Sequence, residues 1–317
     1  MKIALLGMSK LGQSLYQFYN LKKKVPTKIN IDTCLDTDII FICVKTIYHY
    51  LFKQLDKSEI LKICSKLTEK EYKGIIVIHS SVEPGTTEKL SQMFSNLKFI
   101  HSPIIINNRD HYNSIINRKH IIIGKPEMGT LEDMYKVRSF FENIYNKEVT
   151  IHCSSSNESE ATKIFYNSYN AVKLQLFNEF YSFCGNKNIN YHNVKELMVK
   201  NKLIIDKNVN VPGYDKKLSY RGDNLPNDIN ALNSMLKKSE LNNYIIDGTI
   251  KERNEMRPID FQLELDKTGE QLAILLTQKS FRLSDRASRL SLVSAGRWRK
   301  NPSQSRSISH GSNLRPP

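Results

Sequence analysis

Near the N-terminus, Gly7-Met8-Ser9-Lys10-Leu11-Gly12 follows a short apolar run and precedes a helical pattern. A glycine turn between a strand and a helix is suited to a dinucleotide pyrophosphate. The first glycine permits the tight turn, the middle one lets the phosphates approach the backbone, and the last lets helix and strand pack closely. Gly7 and Gly12 hold the outer positions, Ser9 stands at the middle one, and Lys10 and Leu11 open the helix. Ser9 adds a Cβ where a cofactor would lie, although its hydroxyl can still face a phosphate. The motif alone is weakly specific, and a βα turn that binds nothing is its competing reading. An acidic residue about 20 positions on accepts ribose hydroxyls in such sites. Asp32 lies 20 residues after Gly12. An exposed loop residue or a helix N-cap is the alternative reading of Asp32.

The elements that must position these groups follow from apolar runs. Lys2–Leu6, Asp38–Val44, Gly74–His79, Phe99–His101, Lys119–Gly124 and Val149–Ile151 read as strands, with a weaker one at Lys28–Ile31. Helical patterns lie between them at Leu51–Leu67, Thr87–Phe94 and Leu131–Tyr145. Strands without polar alternation, separated by amphipathic helices, predict a doubly wound, Rossmann-like α/β fold with a parallel sheet covered on both faces. After residue 157 the strands stop. A long helix over Glu158–Cys184 and shorter ones at Asn193–Asn201, Asp228–Lys238 and Asn242–Asn254 predict a mostly helical second domain. Val209–Pro226, rich in Gly, Pro, Asp and Lys, reads as a loop.

The 317 residues suffice for two domains, and 40% hydrophobic with 9% aromatic content is ordinary for a globular protein. No apolar run approaches the roughly 20 residues of a membrane span. The first residues lack the features of a signal peptide, so a cytoplasmic location is expected. Cys34, Cys43, Cys64, Cys153 and Cys184 form no C-x-x-C pair, which points to free thiols and to no metal. The net charge of +15 is unevenly built: residues 1–256 hold 31 Lys and 5 Arg, and 257–317 hold 3 Lys and 8 Arg. The last stretch is expected to be a basic, Ser/Arg-rich, disordered tail after one helix at Gly269–Gln278. No known nucleic-acid reader motif accompanies the charge, so nucleic acid is not the expected partner.

Further segments carry a resemblance. Asp38-Ile-Ile-Phe-Ile-Cys-Val44, Ser80-Ser-Val-Glu-Pro-Gly-Thr86 and Ser102-Pro103 resemble UDP-glucose 6-dehydrogenases and their GDP-mannose relatives. So do Glu160-Ala-Thr-Lys-Ile-Phe-Tyr-Asn167, continuing to Lys173 and Asn178-Glu179, and Gly222-Asp-Asn-Leu-Pro-Asn-Asp228. The resemblance runs from residue 1 to about Arg257. It implies an NAD-binding domain over 1–157, a central dimerisation and active-site domain over 158–256, and the separate tail over 257–317. It also implies NAD as cofactor, with Val44 and Ser81 beside it, a UDP-sugar as substrate, and a homodimer across the long helix.

The family's chemistry is two hydride transfers that carry a sugar hydroxymethyl group to a carboxylate through a cysteine-bound thioester. Lys163 and Asn167 match its oxyanion-stabilising pair, and at i and i+4 they share one helix face. Asp228 and Ser81 match its aspartate and threonine positions. The nucleophile position of G-x-C-x-P-K-D is Asn224, the lysine position is Asn227, and the carboxylate expected after Ser102-Pro103 is Ile104. An amide cannot form a thioester, so impaired or absent activity is expected. The alternative is a catalytically inactive nucleotide-binding or dimerisation protein.

Overall fold

A strand with no polar face must be sheltered on both sides, and three such strands set the architecture. Every residue of β1 (Ile3–Leu6), β3 (Ile39–Ile42) and β6 (Ile75–Ile78) is buried. The computed structural model describes residues 1–22, 27–28, 31–106, 110–146, 148–207 and 209–268. Besides those strands they form α1 (Lys10–Leu21), β2 (Thr27–Lys28), β4 (Tyr48–His49), β5 (Gln54–Leu55), α2 (Ser58–Glu69) and α3 (Thr86–Met93). Then come β7 (Lys98–His101), α4 (His111–Ile116), β8 (His120–Lys125), α5 (Leu131–Ile144), β9 (Thr150–Ser155) and α6 (Ser156–Asn186). After α6 only helices follow among the described residues: α7 (Tyr191–Lys200), α8 (Asn224–Lys238), α9 (Tyr244–Met256) and a last one over 258–268.

The sheet order is β2-β1-β3-β6-β7-β8-β9. Its neighbours are parallel, except that β7 meets β8 antiparallel at His101 and Gly124. The chain leaves β1 for β2 on one side and returns to β3 on the other. The crevice between the carboxyl ends of β1 and β3 is therefore the switch point where open α/β sheets bind ligands. Alternate residues of each strand feed two cores. Leu15, Phe18 and Tyr19 of α1 and Val137, Phe140 and Phe141 of α5 pack on Ile3, Leu5, Phe41 and Val77. On the other face, Ile60, Cys64 and Leu67 of α2 and Leu90 of α3 pack on Ala4, Ile40, Ile42 and Ile76.

Met1–Glu264 form one compact unit and Leu265–Pro317 another, of which only 265–268 are described. The helix expected at 269–278 and the tail after it lie outside the described residues. No described helix is long and apolar enough to cross a membrane.

Two local expectations are corrected, and one short helix is added. The helix read over Leu51–Leu67 begins at Ser58, because residues 48–55 form the antiparallel hairpin of β4 and β5. Lys53 takes a left-handed φ of 51° in its turn, and Asp56 Oδ1 accepts from Ser58 N at 2.9 Å. The loop read to Pro226 stops at Asp223. Pro226 sits within the first turn of α8, where its missing N–H leaves no helical bond unmade. The short helix α4 was not read from the sequence; Asp110 caps it by accepting from Asn113 N at 3.0 Å.

Candidate active site

The phosphate-type turn is built by close backbone approach. Gly7 has φ +100°, and a Cβ there would stand 2.5 Å from the Cys43 carbonyl oxygen; one on Gly12 would stand 2.1 Å from the Gly7 oxygen. Both glycines are thus required by the packing of β1 against β3 and of α1 against the turn. Ser9 is the N-cap of α1: its hydroxyl accepts from Gly12 N at 3.2 Å and donates to Cys43 O at 3.3 Å. Lys10 and Leu11 open the helix at the carboxyl edge of the sheet, and Val44 follows β3 on the same edge. This half fits a pyrophosphate, although one N–H of the helix start is already used by Ser9. Asp32 lies in a single 3₁₀ turn, Ile31–Thr33, and its Oδ1 is 2.8 Å from Lys70 Nζ, an exposed pair. A ribose there would share Asp32 with Lys70.

The second group of residues converges where α6 and α8 cross. Lys163 and Asn167, one turn apart on α6, are 4% and 5% exposed. Lys163 Nζ donates to Ile104 O at 2.8 Å. Ile104, where the resemblance leads one to expect a carboxylate, buries its side chain in the core and offers only this carbonyl. Asn167 Nδ2 donates to Asp228 Oδ2 at 2.5 Å, and Ser81 Oγ reaches the same oxygen at 3.5 Å, the outer limit of a hydrogen bond. Asp228, where the sequence reading began this helix, lies inside α8, 1% exposed and one turn beyond Asn224. Asn224 itself is exposed in the first turn of that helix.

Several contacts that the sequence did not reveal hold this arrangement. Thr46 Oγ1 donates to Ser81 O at 2.5 Å and Ser80 Oγ to Val44 O at 2.8 Å, which ties the loops after β3 and β6 together. Asn227 Oδ1 accepts from Tyr48 N at 2.9 Å, and Lys45 pairs with Asp223 at 3.0 Å, docking α8 onto the hairpin. Glu160 is fully buried and accepts from Gly85 N and Thr87 N, each at 2.7 Å, and from Thr87 Oγ1 at 2.5 Å. The glutamate directly before Pro84-Gly85, Glu83, accepts from Leu55 N at 2.6 Å and from Lys57 Nζ at 2.8 Å. A glutamate beside a Pro-Gly turn was the only signal available for this tie.

The electrostatics follow from burial. Loss of solvent pushes the Asp228 carboxyl up to about 6, opposed by the Lys163 charge and by the Asn167 and Ser81 donors. Burial lowers the Lys163 ammonium, against the charge of Asp228. His79 and His101, enclosed beneath the edge, are pushed down to about 3 by burial and stay neutral. A carboxyl raised in the fold stabilises below its unfolded pKa, and that stability is lost as pH rises through the folded value. Asp228→Asn removes this loss, so its stability relative to the wild type should rise between pH 4 and 7, by about 2–3 kcal/mol. Urea unfolding of both proteins across that range checks it; parallel curves would show that Asp228 keeps an ordinary pKa.

Comparisons with known proteins follow the same residues. Residues 157–255 match the family model for the UDP-glucose/GDP-mannose dehydrogenase family, central domain. UDP-glucose 6-dehydrogenase of Campylobacter jejuni is 26% identical over 258 residues, 80% of this chain and 62% of that protein. The Streptococcus pneumoniae UDP-glucose 6-dehydrogenase is 22% identical over 69% of this chain and 56% of its own length. The chain therefore spans less than two thirds of these relatives. In fold it is similar to a UDP-glucose dehydrogenase from Pyrobaculum islandicum, with TM-score 0.67 and 16% identity, covering 84% of this chain and 71% of that one.

Proposed function

We propose, from the premise that residues 157–255 carry the central domain of the UDP-glucose/GDP-mannose dehydrogenase family, that this protein is a nucleotide-sugar 6-dehydrogenase homologue without the second oxidation. The observation that supports this reading is the cluster of Lys163, Asn167, Asp228 and Ser81, with an exposed amide rather than a thiol at position 224, one helical turn before Asp228. NAD is the proposed cofactor. Gly7, Gly12 and the start of α1 would hold its pyrophosphate, and Asp32 its ribose. When bound, it would accept the hydride.

This chain's own residues would then act on the sugar. The Lys163 ammonium and the Asn167 amide are preorganised donors for a developing oxyanion, and their burial strengthens such contacts. Asp228, raised towards neutrality, orients Asn167 and sets the charge on Lys163. Oxidation of the aldehyde stage to a carboxylate by the covalent route needs a nucleophile that can add to the carbonyl and later leave. Asn224 cannot do either. The domain limit at 157, just inside α6, and a reducing, cytoplasmic setting remain part of this proposal.

The test is calorimetry with NAD and with UDP-glucose, followed by NADH absorbance. Binding of both with four-electron turnover on the order of 10⁴-fold or more below a thiol enzyme is the expected result. NADH release at two equivalents per UDP-glucose, abolished by Lys163→Ala, would overturn it. A second reading, an inactive dimerisation protein, is favoured by the outer face of α6. Phe165, Tyr169, Leu176, Phe180 and Phe183 recur there at helical spacing and are 39–61% exposed. We propose a second copy of this chain as what covers them, and this is compatible with either reading.

A further inference from the structure

Away from these residues, at the far edge of the sheet, two histidines stand side by side. β8 and β9 are parallel, with His120 opposite Thr150 and Ile122 opposite His152, so the two imidazoles are diagonal neighbours on one face. Their nearest nitrogens, Nδ1 of His120 and Nε2 of His152, are 3.1 Å apart, with ring centroids at 5.3 Å and planes tilted by 31°. Both side chains are exposed and can rotate without disturbing a core. A separation of about 3 Å is also that of two adjacent nitrogen ligands, each about 2.0–2.1 Å from one metal ion.

We propose that His120 and His152 form a two-histidine site for a borderline divalent cation of the Ni²⁺, Cu²⁺ and Zn²⁺ class. Imidazole nitrogen suits these ions, whereas carboxylates and carbonyls suit magnesium and calcium. No group of three or more His, Cys, Asp or Glu among the described residues could hold a metal. The ion therefore keeps water in its other positions and binds reversibly. Its structural effect is specific. β9 is the edge strand, and it runs into α6 with no residue between Ser155 and Ser156. A cation held across β8 and β9 clamps the strand that launches the helix bearing Lys163 and Asn167. This inference does not depend on the dehydrogenase reading.

The experiment is titration of the full chain with NiCl₂ at pH 7.5 by calorimetry, chosen because Ni²⁺ does not oxidise the exposed Cys153 thiol. One saturable site is expected, weakened about tenfold or more in His120→Gln and in His152→Gln and unchanged in Cys153→Ser. Ni²⁺ should raise the Tm of the wild type and leave that of either glutamine variant unmoved. The absence of saturable binding would mean that the pair makes only an N–H···N hydrogen bond, and the proposal would fail. It would fail equally if binding survived His152→Gln or disappeared in Cys153→Ser.

Discussion

Replacing Glu160 by alanine is expected to destabilise the protein by roughly 3–5 kcal/mol, among the larger effects a single substitution can have. The carboxylate satisfies the Gly85 and Thr87 amides and the Thr87 hydroxyl at the start of α3, with Glu160 and Thr87 fully buried and Gly85 half-buried. Alanine leaves these donors without an acceptor and without water, and each orphaned group costs about 1–3 kcal/mol. Some of that cost is offset because burial pushes the Glu160 carboxyl up to about 7, against its three donors, so the ionised group is itself under strain at neutral pH. Glu160→Gln keeps an acceptor oxygen and should cost about 1–2 kcal/mol. Urea unfolding measures both. An alanine variant within 1 kcal/mol of the wild type would mean that water enters and satisfies the α3 amides, in which case α6 and α3 are not tied through this side chain.

If a second copy covers α6 as proposed, Tyr169→Glu combined with Leu176→Glu is expected to make the protein monomeric at micromolar concentrations where the unsubstituted chain is a dimer. Both residues lie on the exposed stripe of α6, so neither change opens a core. Monomeric proteins seldom leave so long an apolar stripe uncovered. Burying a large apolar side chain at an interface contributes about 1.5–3 kcal/mol. Two losses, with charge placed where a second copy would pack, weaken association by about 10²–10⁴-fold. Light scattering coupled to gel filtration decides the matter. A wild type that is already monomeric at tens of micromolar removes the idea that a second copy covers this face.

Much of the scaffold was legible because its causes are local. β1, β3 and β6 announce themselves as apolar runs with no polar face, and helical spacing marks α6, although it was read from Glu158 and the capping box of Ser155 and Glu158 that opens it at Ser156 was missed. Features decided by distant partners were not legible. Leu51 and Phe52 continue a helical pattern, yet the pairing of Tyr48 with Leu55 and the docking of Asn227 on Tyr48 N turn them into a hairpin. The antiparallel step at β8 rests on one bridge, His101 with Gly124, which periodicity cannot encode. Among candidate site residues, the spacing of Lys163 and Asn167 put them on one helix face. That Asp228 lies buried beneath Asn224, rather than capping its helix, depends on where α8 begins. Glu160 looks like any solvated glutamate in a helix until α3 is placed over it.

α6 is a single rod of 31 residues with no interruption at its base. At 3.6 residues per turn, Glu160, Lys163 and Asn167 fall on one side, and Phe165, Tyr169, Leu176, Phe180 and Phe183 fall roughly opposite. The two faces therefore share one angular setting that starts at Ser156. Gaining or losing a single residue between β9 and the first turn would rotate everything beyond it by about 100°. The buried ammonium would then be turned away from Asp228, and the apolar stripe would leave the outer face. The junction is thus under a constraint that neither face reveals alone: a single substitution along the rod touches one face, whereas a change of length at its root spoils the buried cluster and the apolar stripe in the same event.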